Sequence, residues 1–246
     1  MKVMQFFLSV IVLAATSTLG FATDKNLTGE SLAVDPSGTW RWDFEMNGNA
    51  IKNVLKLEAT ADGKVTGTLS ARDMKMEVLE GQIKDGKLSF NIKADTPRSF
   101  KIVFDGKIDG DKVEGTAEAK SDDGSRDFPW TAKRSVEPSD VVGAWKLKIT
   151  LPNDQTLQPM LTFAMKDDKL TATYSSEDGK TLEVKRLEIK ENQLQFEMDT
   201  VYEGADLHVE YKGRPYGARL KGKIKYTLNN DSGELEYTGA MQAEKK

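Results

Sequence analysis

The 246-residue sequence contains no cysteine and a single histidine, His208. Those two shortages remove whole classes of chemistry. Without cysteine there is no disulfide staple, no thiolate nucleophile and no lipid-modified cysteine at a mature N-terminus. One histidine alone cannot build a His/Cys metal site. No charge of one sign dominates: 35 basic residues stand against 39 acidic ones, for a formal net charge of −4. Such a balance gives no electrostatic reason to expect nucleic acid or an anionic membrane as partner. Beyond the N-terminal segment no run is apolar enough to cross a bilayer as a helix. A phosphate-binding glycine motif, a Gly-x-Ser-x-Gly elbow and an Asp-x-Asp-x-Asp-Gly calcium loop are all missing. Neither a metal nor a cofactor is expected.

What is present begins with an address. Residues 1–22, MKVMQFFLSVIVLAATSTLGFA, carry Lys2, then an uncharged apolar run from Phe6 to Ala15. Gly20 and Ala22 follow at the −3 and −1 positions of a cleavage site. This is the pattern of a secretory signal peptide, with an apolar run too short to span a membrane. The protein is expected to be secreted or periplasmic. Residues 23–35 show no clear period and read as a flexible lead-in.

The rest of the chain alternates apolar and polar residues with period two, broken every 8–14 residues by turn sequences. TADGK, IKDGK, DGDK and SDDGS punctuate the first half; KDDK, SEDGK, KENQ and NNDSG punctuate the second. Asp-Gly and Asn-rich pairs tolerate the positive φ angles of tight hairpins. Eight strands are predicted in the first half, near residues 40–46, 54–59, 65–71, 74–83, 88–94, 100–108, 113–119 and 128–134. A matching set follows. Trp40 matches Trp145 at an offset of 105, Phe90 matches Phe196 at 106, and Phe128 matches Leu235 at 107. So small a drift means that loops changed while strand order did not. The sequence thus predicts two repeats, residues 36–134 and 141–246, joined by the linker SVEPSD over residues 135–140.

Parity assigns the faces. Trp40, Trp42, Phe44 and Met46 share one side; so do Leu88, Phe90 and Ile92, and Phe100, Ile102 and Phe104. Arg41, Asp43, Glu45, Lys101, Lys107, Glu114 and Glu118 take the other. A sheet with one apolar and one charged face curls around its own core in water, whereas a membrane barrel faces lipid with its apolar side. The predicted fold is all-β, two consecutive antiparallel eight-stranded up-and-down barrels, with β-sandwiches as the alternative.

Gly38, Trp40 and Arg134, a Gly-x-Trp opening the first strand and an arginine ending the eighth, resemble the signature of calycins, the superfamily of lipocalins, fatty-acid-binding proteins and avidins. GKVTGTLS, from Gly63 to Ser70, is similar to the second hairpin of avidin-type barrels. The repeat also resembles roughly 100-residue β-modules of secreted bacterial proteins, through GDKVEGT (Gly110 to Thr116) and WTAKR (Trp130 to Arg134). The resemblance implies that the arginine packs across the tryptophan and helps close the barrel floor. It implies no established activity. The second repeat keeps Gly143 and Trp145, but Tyr237 replaces the final tryptophan and Met241 stands where Arg134 would be matched.

Four sets of residues are weighed for function. In the barrel interiors, Trp42, Phe44, Phe90, Phe104, Trp145, Tyr174 and Tyr211 read first as packed core, with a small apolar pocket as the alternative. No inward set of hydroxyl and amide groups suited to biotin can be assembled. The basic stretch YKGRPYGARLKGKIKYTLNN holds Lys212, Arg214, Arg219, Lys221, Lys223 and Lys225 with no acid from Lys212 to Asn230. Parity turns Arg219, Lys221, Lys223 and Lys225 outward, so the stretch reads as a surface charge ladder against Asp206, Glu210, Glu234 and Glu236, or as a stripe for an anion or acidic glycan. His208 also points outward, beside Asp206 and Glu210, and reads as a solvated strand residue. The carboxylate pairs Asp122-Asp123 and Asp167-Asp168 sit in predicted turns. No catalytic residue is assigned.

These features point to an exported, non-enzymatic binding module whose partner is a small hydrophobic molecule, a glycan or an envelope protein. An envelope hydrolase or isomerase using acidic residues is the alternative, and a purely structural spacer is the third. The leader makes one direct prediction: the N-terminus of the exported protein, read by Edman degradation or mass spectrometry, begins close to Thr23 rather than at Met1.

Overall fold

The structure is a computed structural model, which describes residues 34–46, 48–94, 100–121, 124–151, 154–202, 204–229 and 231–243. The leader and most of the lead-in lie outside those residues, as does the pair Asp122-Asp123. Eight strands follow one another as β1 (Gly38–Met46), β2 (Asn49–Ala59), β3 (Lys64–Ala71), β4 (Met74–Lys84), β5 (Lys87–Ala94), β6 (Phe100–Asp109), β7 (Lys112–Ser121) and β8 (Gly124–Arg134). Each pairs antiparallel with the next, and β1 pairs with β8 to close the barrel, placing Trp40 opposite Arg134. The predicted parity holds. Trp40, Leu55, Leu57, Leu88, Phe90, Ile92, Phe104 and Trp130 fill one core, while Lys101, Lys107, Glu114 and their neighbours face water. Burying large apolar side chains on the inner face is what stabilises such a sheet without disulfides.

A one-turn helix, α1 (Pro138–Val141), interrupts the linker, which had no helical signal. Then come β9 (Gly143–Thr150), β10 (Thr156–Leu157), β11 (Met160–Lys166), β12 (Lys169–Ser175), β13 (Thr181–Glu183), β14 (Lys185–Lys190), β15 (Gln193–Tyr202), β16 (Ala205–Tyr216), β17 (Arg219–Leu228) and β18 (Asp231–Met241). They form a second, nearly closed barrel around Trp145, Leu147, Leu161, Phe163, Leu194, Phe196 and Tyr211. The eight strands expected of the second repeat are thus ten, for two physical reasons. Gln158-Pro159 splits the strand that corresponds to β2 into β10 and β11; proline has no amide hydrogen to give the ladder, though its carbonyl accepts from the Leu147 amide at 2.9 Å.

The second break lies at the counterpart of β4. Both copies carry an irregularity there, with a left-handed residue at Glu80 (φ 53°) and at its match Arg186 (φ 48°). In the first barrel β4 passes this bulge and still pairs with β3, through Val65 opposite Gly81. A Cβ on Gly81 would overlap the Val65 carbonyl oxygen. The matching residue of the second barrel is Leu187, whose side chain forbids that approach. The ladder is accordingly interrupted: β13 pairs with β12 and β14 with β15, and no ladder joins β12 to β14. One glycine separates a closed barrel from a seamed one.

The floors of the two barrels meet. Asp140 of α1 is buried and accepts from Thr39 Oγ1 (3.1 Å), Arg41 Nη2 (2.8 Å) and the Glu137 amide (3.0 Å), with Lys56 Nζ at 3.1 Å. Burial pushes its carboxyl up, but Arg41, the Glu137 amide and Lys56 outweigh that and hold it below the ordinary value. Arg214 reaches Asp111, Glu58 accepts from the Ala218 amide, and Asn192 donates to the Arg134 carbonyl at 3.1 Å. The seam explanation is testable at its glycine: Gly81→Ala should lower the stability of the first barrel by about 2 kcal/mol through overpacking, measured by urea unfolding followed through tryptophan fluorescence.

Candidate functional site

The barrel interiors are occupied by their own side chains. In the first, Phe90 stacks on Phe104 at 4.7 Å between centroids, and Trp42 meets Phe104 at 6.0 Å and Trp130 at 5.9 Å edge-on. Phe44 packs edge-on against Phe128 at 5.4 Å, with both half-buried. In the second, Phe196 stacks on Tyr211 at 4.6 Å, and Tyr211 lies 6.1 Å from Tyr174 and 5.6 Å from Tyr237. The Tyr174 and Tyr211 hydroxyls bond to each other, and burial raises the pKa of both. These contacts use the aromatic faces on one another, as dense cores do.

The closure residues take matching places. Trp40 donates its indole N–H to the Pro36 carbonyl and Trp145 donates to that of Val141, each at 2.8 Å and four residues back. The Arg134 guanidinium lies 4.4 Å over the Trp40 ring and donates to the Ser37 and Asp35 carbonyls. Burial lowers its pKa, with Arg214 adding repulsion. Met241 stands opposite Trp145, its side chain 3.9 Å from where a Cβ on Gly143 would lie. Gly38 and Gly143 each adopt positive φ (122° and 131°), as the start of each first strand requires.

Outside the second barrel the wall is concave. A groove of about 1060 Å³ runs over β9, β18, β17, β16, β15 and β14. It is centred on the facing pair Gly213 and Gly222. A Cβ on either would collide with Tyr237, whose hydroxyl is buried there without a hydrogen-bond partner among the described residues. Burial pushes that phenol far above its ordinary pKa. Across the floor of the groove runs a row set by strand register: Lys148 opposite Thr238, Thr238 opposite Lys221, Lys221 opposite Arg214. One step along, Lys212 faces Lys223. Two cation–cation pairs therefore sit side by side, an arrangement that is unfavourable between neighbouring strands.

The acids of the groove lie toward the barrel mouth. Lys223 Nζ binds Glu234 at 2.6 Å, which raises the lysine pKa and lowers that of the glutamate. Lys225 stands between Glu210 and Glu234 in register. That end is the expected charge ladder. The other end is not: Lys148 and Lys212 have no ion pair among the described residues. Lys221 lies 5.7 Å from the Tyr216 ring and Arg214 lies 5.5 Å from it. Arg219 leaves the stripe altogether; it covers the barrel joint, donating to Ser37 Oγ at 2.9 Å and Asp35 at 3.2 Å. Burial raises the Asp35 pKa, but its Ser37 hydrogen bonds and Arg219 hold it below the ordinary value.

Lys148, Tyr216, Thr238, Gln193 and Gln195 also line the groove, and none stood out in the sequence. Lys148 belongs to the strand that opens the repeat, and only barrel curvature brings it beside β18. His208 lies on the same outer wall near the mouth, its Nδ1 2.6 Å from Asp199 Oδ1. Asp167 and Asp168 adopt left-handed angles (49° and 60°) in the β11–β12 turn. Among the described residues no group of three or more metal-ligating side chains is assembled, and no helix is long and apolar enough to cross a membrane.

No protein-family model and no curated protein matches the sequence. Among solved structures, the chain is similar to a Bacteroides fragilis protein described as a "putative outer membrane protein", at 11% identity and a TM-score of 0.29, covering 84% of this chain and 97% of that one. So distant a likeness carries no argument about function.

The cation pairs make a stability prediction. Lys221→Glu places an acid opposite Arg214, as Glu114 stands opposite Lys107 in the first barrel. It should raise stability by about 0.5 kcal/mol at low salt, with the gain shrinking as salt screens the pair; matched urea titrations at two salt concentrations check it.

Proposed function

We propose that this chain is an exported, non-enzymatic binding protein that holds its partner on the outer wall of the second barrel. The observation that carries this reading is a reversal of wall chemistry between two copies of one fold. Around the facing glycines Gly106 and Gly115, the first barrel sets Lys107 against Glu114 and Asp105 against Thr116. Around Gly213 and Gly222, the second sets Arg214 against Lys221 and Lys212 against Lys223. The backbone register is the same, and although Arg214 serves the joint through Asp111, nothing in the barrel packing calls for Lys221 opposite it or for Lys212 opposite Lys223. A protein that keeps like charges side by side on a concave surface is suited to a ligand of opposite sign.

Export rests on the signal-like leader. The non-enzymatic reading is supported by the position of His208, which lies on a wall strand bonded to Asp199 rather than poised in a cleft against a nucleophile. Side-chain packing inside both barrels favours the wall over the interior as the binding surface. The test is cosedimentation of the mature protein with washed cell envelopes of the producing organism. Wild type should sediment with them and be released by raised salt, and the double variant Lys212→Asp, Lys221→Glu should be retained at least tenfold less. Retention that ignores both salt and the double variant, or that an alkyl carboxylate such as laurate abolishes, would overturn this reading in favour of an interior site.

A further inference from the structure

We infer that the ligand of this groove is an acidic polysaccharide bearing carboxylates, lying across the strands along the row from Lys148 to Arg214. This deepens the wall-binding reading and rests on it. Direction comes first. Neighbouring strands are about 4.8 Å apart, so the row Lys148, Thr238, Lys221, Arg214 spans about 14 Å perpendicular to the strands and contains no acid. One step toward the mouth, Glu236 faces Lys223, and beyond it Glu210 and Glu234 flank Lys225. A chain with negative charge is attracted to the two rows nearest the barrel joint, which hold Lys148, Lys221 and Arg214 and then Lys212 with Lys223. It is repelled from the row beyond, where Glu197, Glu210 and Glu234 outnumber Lys225. That gradient fixes an elongated ligand across the strands rather than along them.

The chemical class follows from what stands between the cations. Lys148 and Lys221 are separated by Thr238, and the groove is also lined by Thr150, Gln193 and Gln195. Hydroxyl and amide groups both donate and accept hydrogen bonds, which suits a ligand carrying many hydroxyls and one anion per unit. A densely charged phosphate chain could use those groups only as donors and would call for more cations than the row holds. Tyr216, half-buried, lines the groove beside the row, with Arg214 and Lys221 over its ring. Arg214 is held in place by Asp111 from the first barrel, which sets the guanidinium before any ligand arrives. Lys148 and Lys212, without ion pairs among the described residues, are free to meet carboxylates.

The first barrel supplies the internal control. Installing its residues at the matching positions, Lys212→Asp and Lys221→Glu, changes the wall charge on a scaffold that already carries Asp105 and Glu114 at those places. The double variant should therefore fold, and its melting temperature shows whether it does. Binding is measured by isothermal titration of the mature full chain with oligogalacturonate, neutral dextran and inorganic polyphosphate. Wild type should bind oligogalacturonate at least tenfold more tightly than dextran and polyphosphate, and the folded double variant should lose at least tenfold of that affinity. His208→Gln, on the same wall but outside the row, should bind as wild type does. Equal affinity for oligogalacturonate and dextran, a preference for polyphosphate, or a double variant that binds undiminished would each overturn the assignment. If oligogalacturonate fails while envelope retention remains sensitive to the double variant, the ligand class is wrong and the wall reading stands. If both are insensitive, the wall itself is wrong.

Discussion

Arg134 stacked over Trp40 is the contact through which the two barrels become one object. The guanidinium covers the indole at 4.4 Å, donates to the Ser37 and Asp35 carbonyls, and also lies 5.6 Å from the Tyr216 ring of the second barrel. A planar, permanently charged group can stack and donate at once, which lysine cannot. Because Trp40 opens β1 and Arg134 ends β8, the same contact ties the first strand to the last. Its surroundings then recruit the second barrel: Arg214 and Arg219 reach back to Asp111 and Asp35, and Asn192 to the Arg134 carbonyl. The closing device of one barrel thus becomes the joint between two.

The second barrel has no such arginine at its own floor. Met241 opposes Trp145 there, and a thioether fills space without holding a charge network. Closure in this barrel is looser in another respect, since Leu187 replaces the glycine that lets β4 approach β3. These departures leave the second copy less constrained as a barrel, while around its facing glycines it carries two cation pairs where the first copy sets Lys107 against Glu114 and Asp105 against Thr116. The Lys–Lys pairs of the first copy, such as Lys93 with Lys101, lie elsewhere on its wall. The two barrels thus differ in closure at Met241 and Leu187 and in wall charge around their facing glycines.

The facing glycines are what both walls share. Gly106 with Gly115, and Gly213 with Gly222, bring backbone close to an inner ring, Trp130 in one case and Tyr237 in the other. A side chain at those positions would have nowhere to go. In the second barrel, the ring of Tyr237 lies directly beneath the floor of the groove, and the residues that line it stand around this thin part of the wall.

By itself the sequence determined the all-β class, two successive barrels, the eight strands of the first and the inward placement of Trp40, Phe90, Trp145 and Tyr211, though not the breaks that make ten strands of the second. Those follow from period-two alternation and turn residues, which act over a few neighbours and are written locally. It also carried the opposition of Met241 to Trp145, because repeat offsets transfer register. Only the tertiary structure decided the rest. Glu234 and Glu236 looked able to neutralise the whole basic stripe, yet register puts Lys221 between Thr238 and Arg214, and a shift of two residues along a strand is enough to exchange an acid for a cation. Lys148 joins the row only because the barrel curls β9 against β18, some 90 residues away in the chain. Arg219 follows the parity of the stripe but belongs to the joint, since the floor of the first barrel lies within its reach. Pairing across strands and docking between barrels depend on distances that no local pattern encodes.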